Sequence, residues 1–528
     1  MTTKLVSIQN PGQFGIIKDV DPILLPPQAW TAGNNIRFTN NEVQKILGQE
    51  SIDTPTLTDL QFIMPATKWA SGLATKVWIY AGLDHVYYTD DGSTDTKITR
   101  QSGTPAADVV YTGDSDDRWH GSVNQNILIL NNGKDSPQSW TSTLLEDLRW
   151  DADDTWTDAG WTTKTMRSHK NFLMALQLDK GDGDGMNPNT VCWSEPAEPW
   201  AVPTTWDASD TSSITGQIEL SSSEGQIIDG LSLRDNFIVY KDSSIYNLSY
   251  IGGQYVWQAR DVSRTLGLFA QGALAEFLGQ HVFMAPDDII VTDGSQFKSV
   301  ASQKVRSKIF NEISSSKYNR TFAVPNYNKE EIWFCYPSTD SDYVNKAAIW
   351  NYSTGVWSFK DLPNVNFMNY GILFNTTSSS TWASDSDTWE SDSSAWDEGV
   401  NTQVVFSLLG CTNTALKRFD LGYTADSASY ESYVERTGLK LGDSNTMKRI
   451  TAIYPKGVGE MDIYVGQAMH QNDAYTWEGP YTITPETDAQ IRCRVTGRYH
   501  AVKFVFKGDT EHKLLGYDIE YVDTGYGR

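Results

Sequence analysis

Cysteine is scarce. Cys192, Cys335, Cys411 and Cys493 are the four in 528 residues, and they lie far apart. No CxxC or CxxH spacing occurs, which argues against a zinc site. A chain of this length needs no disulfide framework, so the four read as buried free thiols made in a reducing cytoplasm. Long apolar runs are also lacking: nothing approaches the ~20 residues of a membrane helix, and no membrane insertion is expected. The opening Met1–Ser7 has none of the apolar core of a secretory leader. Cations are under-represented, with 42 Lys and Arg against 66 Asp and Glu, for a net charge of −24. Such a surface repels nucleic acid on average, which excludes high-affinity DNA or RNA binding over its general surface. Stretches with a helical period are few.

What the chain does have is aromatic residues and turn residues: 19 Trp, 25 Tyr, 19 Phe and 40 Gly. That composition points to an all-β protein. Short apolar runs bounded by polar turns recur, starting near residues 78, 127, 172, 237, 282, 332 and 404, with gaps of 49, 45, 65, 45, 50 and 72. Four gaps match the ~40–50 residues of a propeller blade. The two long gaps hold recognisable insertions, one running from Gly181 to Trp206 and one spanning 375–399. Residues 51–425 are therefore expected to form a β-propeller of about six or seven blades, with inserted loops near 140–165 and 375–399. Residues 1–50, punctuated by Pro and Gly, are expected as an arm entering the first blade. Residues 430–528 alternate apolar and polar at Met461–Val465, Ile491–Val495, Ala501–Phe506 and Leu515–Tyr521, the pattern of a separate C-terminal β-sandwich.

One short helix is expected over Ser302–Ser314, with Val305, Ile309 and Ile313 on one face. Its neighbourhood is basic: Lys298, Lys304, Arg306, Lys308, Lys317 and Arg320 stand against Glu312. In so acidic a chain Lys304, Arg306 and Lys308 form a candidate contact for an acidic partner, as against an ordinary solvated helix face. No GxSxG, HExxH or Walker sequence occurs, and seven scattered histidines give no catalytic pattern. Gly181-Asp-Gly-Asp-Gly185 fails as a calcium loop, because Lys180 stands where the first ligand belongs. Ser384-Asp-Ser-Asp-Thr-Trp389 lacks the glycine of a sialidase-type turn. No catalytic residue, metal or cofactor is assigned.

Two acidic, tryptophan-bearing tracts remain. Residues 144–161 carry Trp150, Trp156 and Trp161 with six acids and one Arg. Residues 375–399 carry Trp382, Trp389 and Trp396 with six acids, Asp385 and Asp387 among them. Both read as extensions whose indoles pack either on the propeller or on a partner. Trp382, Trp389, Trp396, Asp385 and Asp387 are the candidate gate or fibre dock.

Four stretches, in order, resemble the tail-hub or nozzle proteins of short-tailed bacteriophages, also called packaged-DNA stabilisation proteins. They are Val191-Cys-Trp-Ser194 running on to Trp200, Arg234–Tyr246, Val282–Gly294 followed by Gln303–Ile309, and Ile349–Trp357. The likeness covers roughly 190–425. It implies a non-enzymatic structural protein of the virion tail, made in the host bacterial cytoplasm. It further implies a homo-hexameric ring below the portal and the head-to-tail adaptor protein. Such a ring would hold a tail fibre or spike, retain the packaged genome until ejection, and pass double-stranded DNA through its channel without sequence-specific binding. A carbohydrate-binding or polysaccharide-cleaving β-propeller tail protein is the competing expectation.

Overall fold

The computed structural model describes residues 3–374 and 404–526, apart from residues 56, 58, 71, 72, 91, 93, 142, 211, 254 and 444. The protein is all-β, with seven four-stranded antiparallel sheets of propeller-blade type and a C-terminal β-sandwich. The chain divides into two compact units. One comprises Met1–Glu50, Leu220–Asn366 and Phe419–Arg528; the other comprises Ser51–Glu219 and Phe367–Arg418.

The second unit carries four blade sheets. Their second strands are Leu73–Ala81, Ile127–Asn131, Phe172–Asp179 and Val404–Cys411. Strand Phe172–Asp179 is buried at seven consecutive positions, which is why it appears in sequence as an unbroken apolar run rather than an alternating one. The sheet Phe367–Phe374, Val404–Cys411, Leu416–Phe419 takes its outer strand, Gln49–Asp53, from the start of the chain. Turn chemistry fixes the hairpins. After Ile127–Asn131, the Asn132 carboxamide oxygen accepts from the backbone N–H of Lys134 (3.0 Å) and Asp135 (2.8 Å), and Gly133 takes a φ of +75°.

The tract 144–161, expected as an extension, packs inward in this unit. Trp156 and Trp206 are fully buried and meet edge to face at 4.9 Å, with Trp161 and Trp150 against them. The acids stay outside because the tract is built from two-to-three-residue strands, Glu146–Asp147, Arg149–Asp151 and Asp154–Thr155, whose carboxylates need no burial.

The first unit carries three blade sheets, with second strands Asn236–Lys241, Gln280–Met284 and Glu331–Tyr336, and the sandwich. One sandwich sheet runs Ile36–Thr39, Glu42–Lys45, Lys513–Tyr526, Thr446–Val458, Ile491–Gly497, with Thr3–Gln9 also paired to Lys513–Tyr526. The other runs Ala32–Asn34, Ser432–Leu439, Tyr499–Phe506, Met461–Ala468, Thr476–Ile483. Their inner faces interdigitate through residues such as Ile450, Val495, Ile519, Ile463 and Phe504.

Residues 1–50 are thus not an arm into the first blade. They supply four strands to the sandwich and one to a blade. Their anchor is Trp30, which is buried edge to face on Phe504 and donates its indole N–H to the Pro11 carbonyl at 2.6 Å. Gly48 is required where this segment crosses 420–425: a Cβ there would sit 1.8 Å from the Thr424 carbonyl oxygen.

Candidate functional site

The expected helix spans Arg306–Glu312, and Val305, Ile309 and Ile313 are all buried, as the spacing indicated. Four of the basic residues around it are already engaged. Lys304 Nζ donates to the Gly355 carbonyl at 2.6 Å, and burial pushes its pKa down. Arg306 donates to the Asp287 carbonyl and carboxylate, both at 2.6 Å. Lys308 bonds Glu312 at 3.2 Å and lies over the Phe359 ring. Arg320 is buried and donates to the Asp342 carbonyl. Trp382, Trp389, Trp396, Asp385 and Asp387 lie outside the described residues.

The most strongly charged interior of the first unit was not singled out in the sequence. Arg37 Nε and Nη2 clasp both carboxylate oxygens of Glu331 (2.6 and 2.9 Å), and Nη1 donates to Asp420 at 2.8 Å. All three side chains are buried. Burial works against the Arg37 charge, yet the two carboxylates outweigh it and hold the guanidinium above its ordinary value. Burial likewise opposes the Asp420 charge, and Arg37 overcomes it, so its carboxyl is held down. Trp333 Nε1 and Asn326 Nδ2 complete the acceptors. The arrangement joins an N-terminal strand, a blade strand and the segment after the last blade.

Beside it lies a cleft of about 230 Å³, lined among others by Asn34, Asn35, Lys360, Asp361, Tyr430 and Glu431. Asp361 accepts from Asn34, Asn35 and Lys346. Lys360 is buried, donates to the Leu47 carbonyl at 2.8 Å, and sits 5.4 Å from the Tyr430 ring centre. Desolvation pushes its pKa down to about 8. A depressed lysine in a cleft fits a nucleophile, but its bond to Leu47 ties it to the chain. The arrangement fastens segments and lacks a paired acid and base.

The depressed value has a measurable consequence. Between pH 8 and the ordinary lysine range the unfolded chain binds the extra proton, so stability attributable to Lys360 rises with pH. Relative to Lys360→Met, the native protein should gain about 3 kcal/mol across that window. Urea unfolding of both proteins at pH 7.5, 9 and 10 reads it; a pH-independent difference would refute the assignment.

No group of three metal-ligating side chains occurs among the described residues, and no helix among them is long and apolar enough to cross a membrane. The four cysteines are free and buried, and desolvation pushes the Cys192 and Cys411 thiols up to about 12, leaving them unreactive.

No protein-family model matches the chain, and no curated protein matches it. Solved structures share likeness of fold. The AfRom2 CNH domain is 8% identical over 70% of this chain and 97% of its own, with a TM-score of 0.36. BBS1N, determined in complex with ARL6DN, is 10% identical over 71% and 99%, with a TM-score of 0.37. An exo-β-1,3-galactanase from Phanerochaete chrysosporium is 9% identical over 90% and 100%, with a TM-score of 0.28. At these values none of them bears on chemistry.

Proposed function

We propose that the chain is a structural subunit of a virion tail: the ring-shaped hub or nozzle of a short-tailed bacteriophage. In this reading six copies assemble below the portal and adaptor, provide a DNA channel, retain the genome until ejection and dock tail fibres. The supporting observation is where the four family-like stretches fall. Val191–Trp193 ends the third strand of one blade sheet; Arg234–Tyr246 covers the second strand and enters the third of the next; Val282–Gly294 runs from the second strand through the third of the sheet after that; Ile349–Trp357 turns from third to fourth strand in the following one. The stretches thus occupy four consecutive blades. The net charge of −24 fits a wall past which DNA slides, since like charges repel.

Lys304, Arg306 and Lys308 remain a proposed partner contact, though each would exchange an internal partner for an external one. The test is assembly. Native mass measurement should find isolated chains mostly monomeric, and adaptor-bearing particles should recruit a ring of them. Stable dimers with no affinity for such particles would count against the proposal.

One feature favours the carbohydrate-binding alternative. Trp69 and Trp200 are 45% and 46% exposed, with ring centres 4.1 Å apart at 75°. Trp200 is held at a φ of +67°, a strained backbone for a bulky residue. An open indole corner of this kind suits a sugar ring. Retention of the chain on immobilised host polysaccharide, lost in Trp200→Ala, would turn the assignment toward that reading.

A further inference from the structure

The outer face of one sandwich sheet carries the chain's least expected charge. In the edge strand Ile491–Gly497, Ile491, Cys493 and Val495 point into the core, and Arg492, Arg494 and Thr496 point out. Arg449, on the neighbouring strand Thr446–Val458, stands opposite Thr496 and donates Nε to its hydroxyl at 3.1 Å. Arg492 and Arg494 therefore occupy alternate outward positions ~6.7 Å apart along one strand, and Arg449 stands on the neighbouring strand beside the next outward position.

Among the described residues no carboxylate forms an ion pair with Arg449, Arg492 or Arg494. The acids of the adjoining strand are engaged elsewhere. Glu520 accepts from the Thr451 and Tyr454 hydroxyls (2.6 and 3.0 Å), Asp518 pairs with Lys456 (2.9 Å), and Asp523 pairs with Lys4 (2.6 Å). This differs from the helix at 306–312, whose cations are internally matched.

We propose that Arg449, Arg492 and Arg494 form a strip that contacts the phosphate backbone of duplex DNA. Guanidinium forks match phosphate oxygens. The strip is a run of one repeated charge across two neighbouring strands, which suits an evenly charged polymer more than a folded partner: double-stranded DNA carries one phosphate per ~3.4 Å of axis on each strand. A protein interface has an apolar centre, and neither strand exposes a large apolar side chain. The rest of the −24 chain repels DNA beyond the strip, so the contact is weak, confined and indifferent to sequence. This goes beyond the ring assignment and does not depend on it.

The experiment is fluorescence anisotropy of a labelled 30-base-pair duplex with the full chain, across ~50–200 mM salt. Three phosphate contacts predict log K falling with log salt at a slope of about −2.7, with dissociation constants in the ~10⁻⁴–10⁻⁶ M range of non-specific binding. Arg449→Gln/Arg492→Gln/Arg494→Gln should weaken binding at least ~10-fold and flatten the slope. The matching triple lysine variant should keep most of it. Should the triple glutamine variant unfold, Arg494→Gln alone should lower the slope by about one. Absence of binding by the native chain at 50 mM salt, or equal binding by the glutamine variant, overturns the proposal. So does polyglutamate competing as well as unlabelled duplex at equal charge, which would assign the strip to an acidic protein face. A chain that assembles on adaptor-bearing particles but ignores DNA loses the strip and keeps the ring; DNA binding without assembly does the reverse.

Discussion

Arg37→Met is expected to destabilise the first unit by about 3–5 kcal/mol, the usual consequence of removing one partner from a buried ionic group. The native guanidinium satisfies Glu331 through two bonds and Asp420 through one. Without it two carboxylates stay buried, with the Trp333 indole and the Asn326 carboxamide as their remaining hydrogen-bond donors. Neutralising all three at once, as Arg37→Met/Glu331→Gln/Asp420→Asn, should recover more than half of the loss, because the penalty comes from uncompensated charge rather than from lost attraction. Denaturant unfolding measures both. Hydrogen exchange should locate the single variant's damage in strands Ile36–Thr39 and Glu331–Tyr336, which the triad joins. A loss below 1 kcal/mol for Arg37→Met would mean that water reaches the carboxylates.

That triad shows what sequence could not reveal. Arg37 lies 294 residues from Glu331 and 383 from Asp420, and the three sit in no local motif; their relation exists only once three segments meet. The blades were legible because the information is local. Each of the seven apolar runs falls in the second strand of a four-stranded sheet; six of these runs are buried on both faces and so written as continuous hydrophobicity. In the sandwich, the four alternating runs are strands. Thr446–Val458 escaped notice because bulges at 447/448, 450/452 and 456/457 break its period. Thr476–Ile483 was hidden by Gly479-Pro480, which looks like a turn. The N-terminal strands were missed for a different reason. Ala32–Asn34 and Ile36–Thr39 are too short to show a period, and the strand that pairs with Ala32–Asn34, Ser432–Leu439, lies about 400 residues away.

The acidic tract at 144–161 shows geometry deciding what composition left open. Six acids with three indoles implied an extension whose rings pack either on the propeller or on a partner. Yet Trp156 is fully buried, and Trp150 and Trp161 pack against it and Trp206. Spacings of six and five residues between indoles, interrupted by tight turns, return each ring to the same side, while Asp147 pairs with Arg100 and the other carboxylates stay at the surface. The arginine row shows the reverse case: the alternation Ile491-Arg-Cys-Arg-Val495 was plain, but that Arg449 extends the row depended on strand pairing.

Acid should destabilise the first unit in two separable steps. His281 is buried. Its Nε2 lies 2.8 Å from the Ser232 carbonyl and its Nδ1 2.9 Å from the Tyr240 hydroxyl. A neutral ring that donates through Nε2–H and accepts from the tyrosine satisfies both contacts; a second proton would have to displace the tyrosine's. Desolvation pushes its pKa down to about 4, and His500, buried and next to Lys448, is pushed to about 4 as well. Both folded values lie below that of an exposed histidine, so between pH 6.5 and 4 the unfolded chain binds more protons and stability drops as the pH is lowered. Each ring should contribute a loss of about 3 kcal/mol by pH 4. Carboxylates held down in the fold, such as Asp420 and Asp293, act lower, as pH falls below about 4. Urea unfolding of the native protein and His281→Gln between pH 7 and 4 isolates the first step: the native protein should lose about 3 kcal/mol relative to the variant as pH drops through that window. A gap between the two that stays constant with pH would show that His281 charges without penalty and that its site is wetter than its burial indicates.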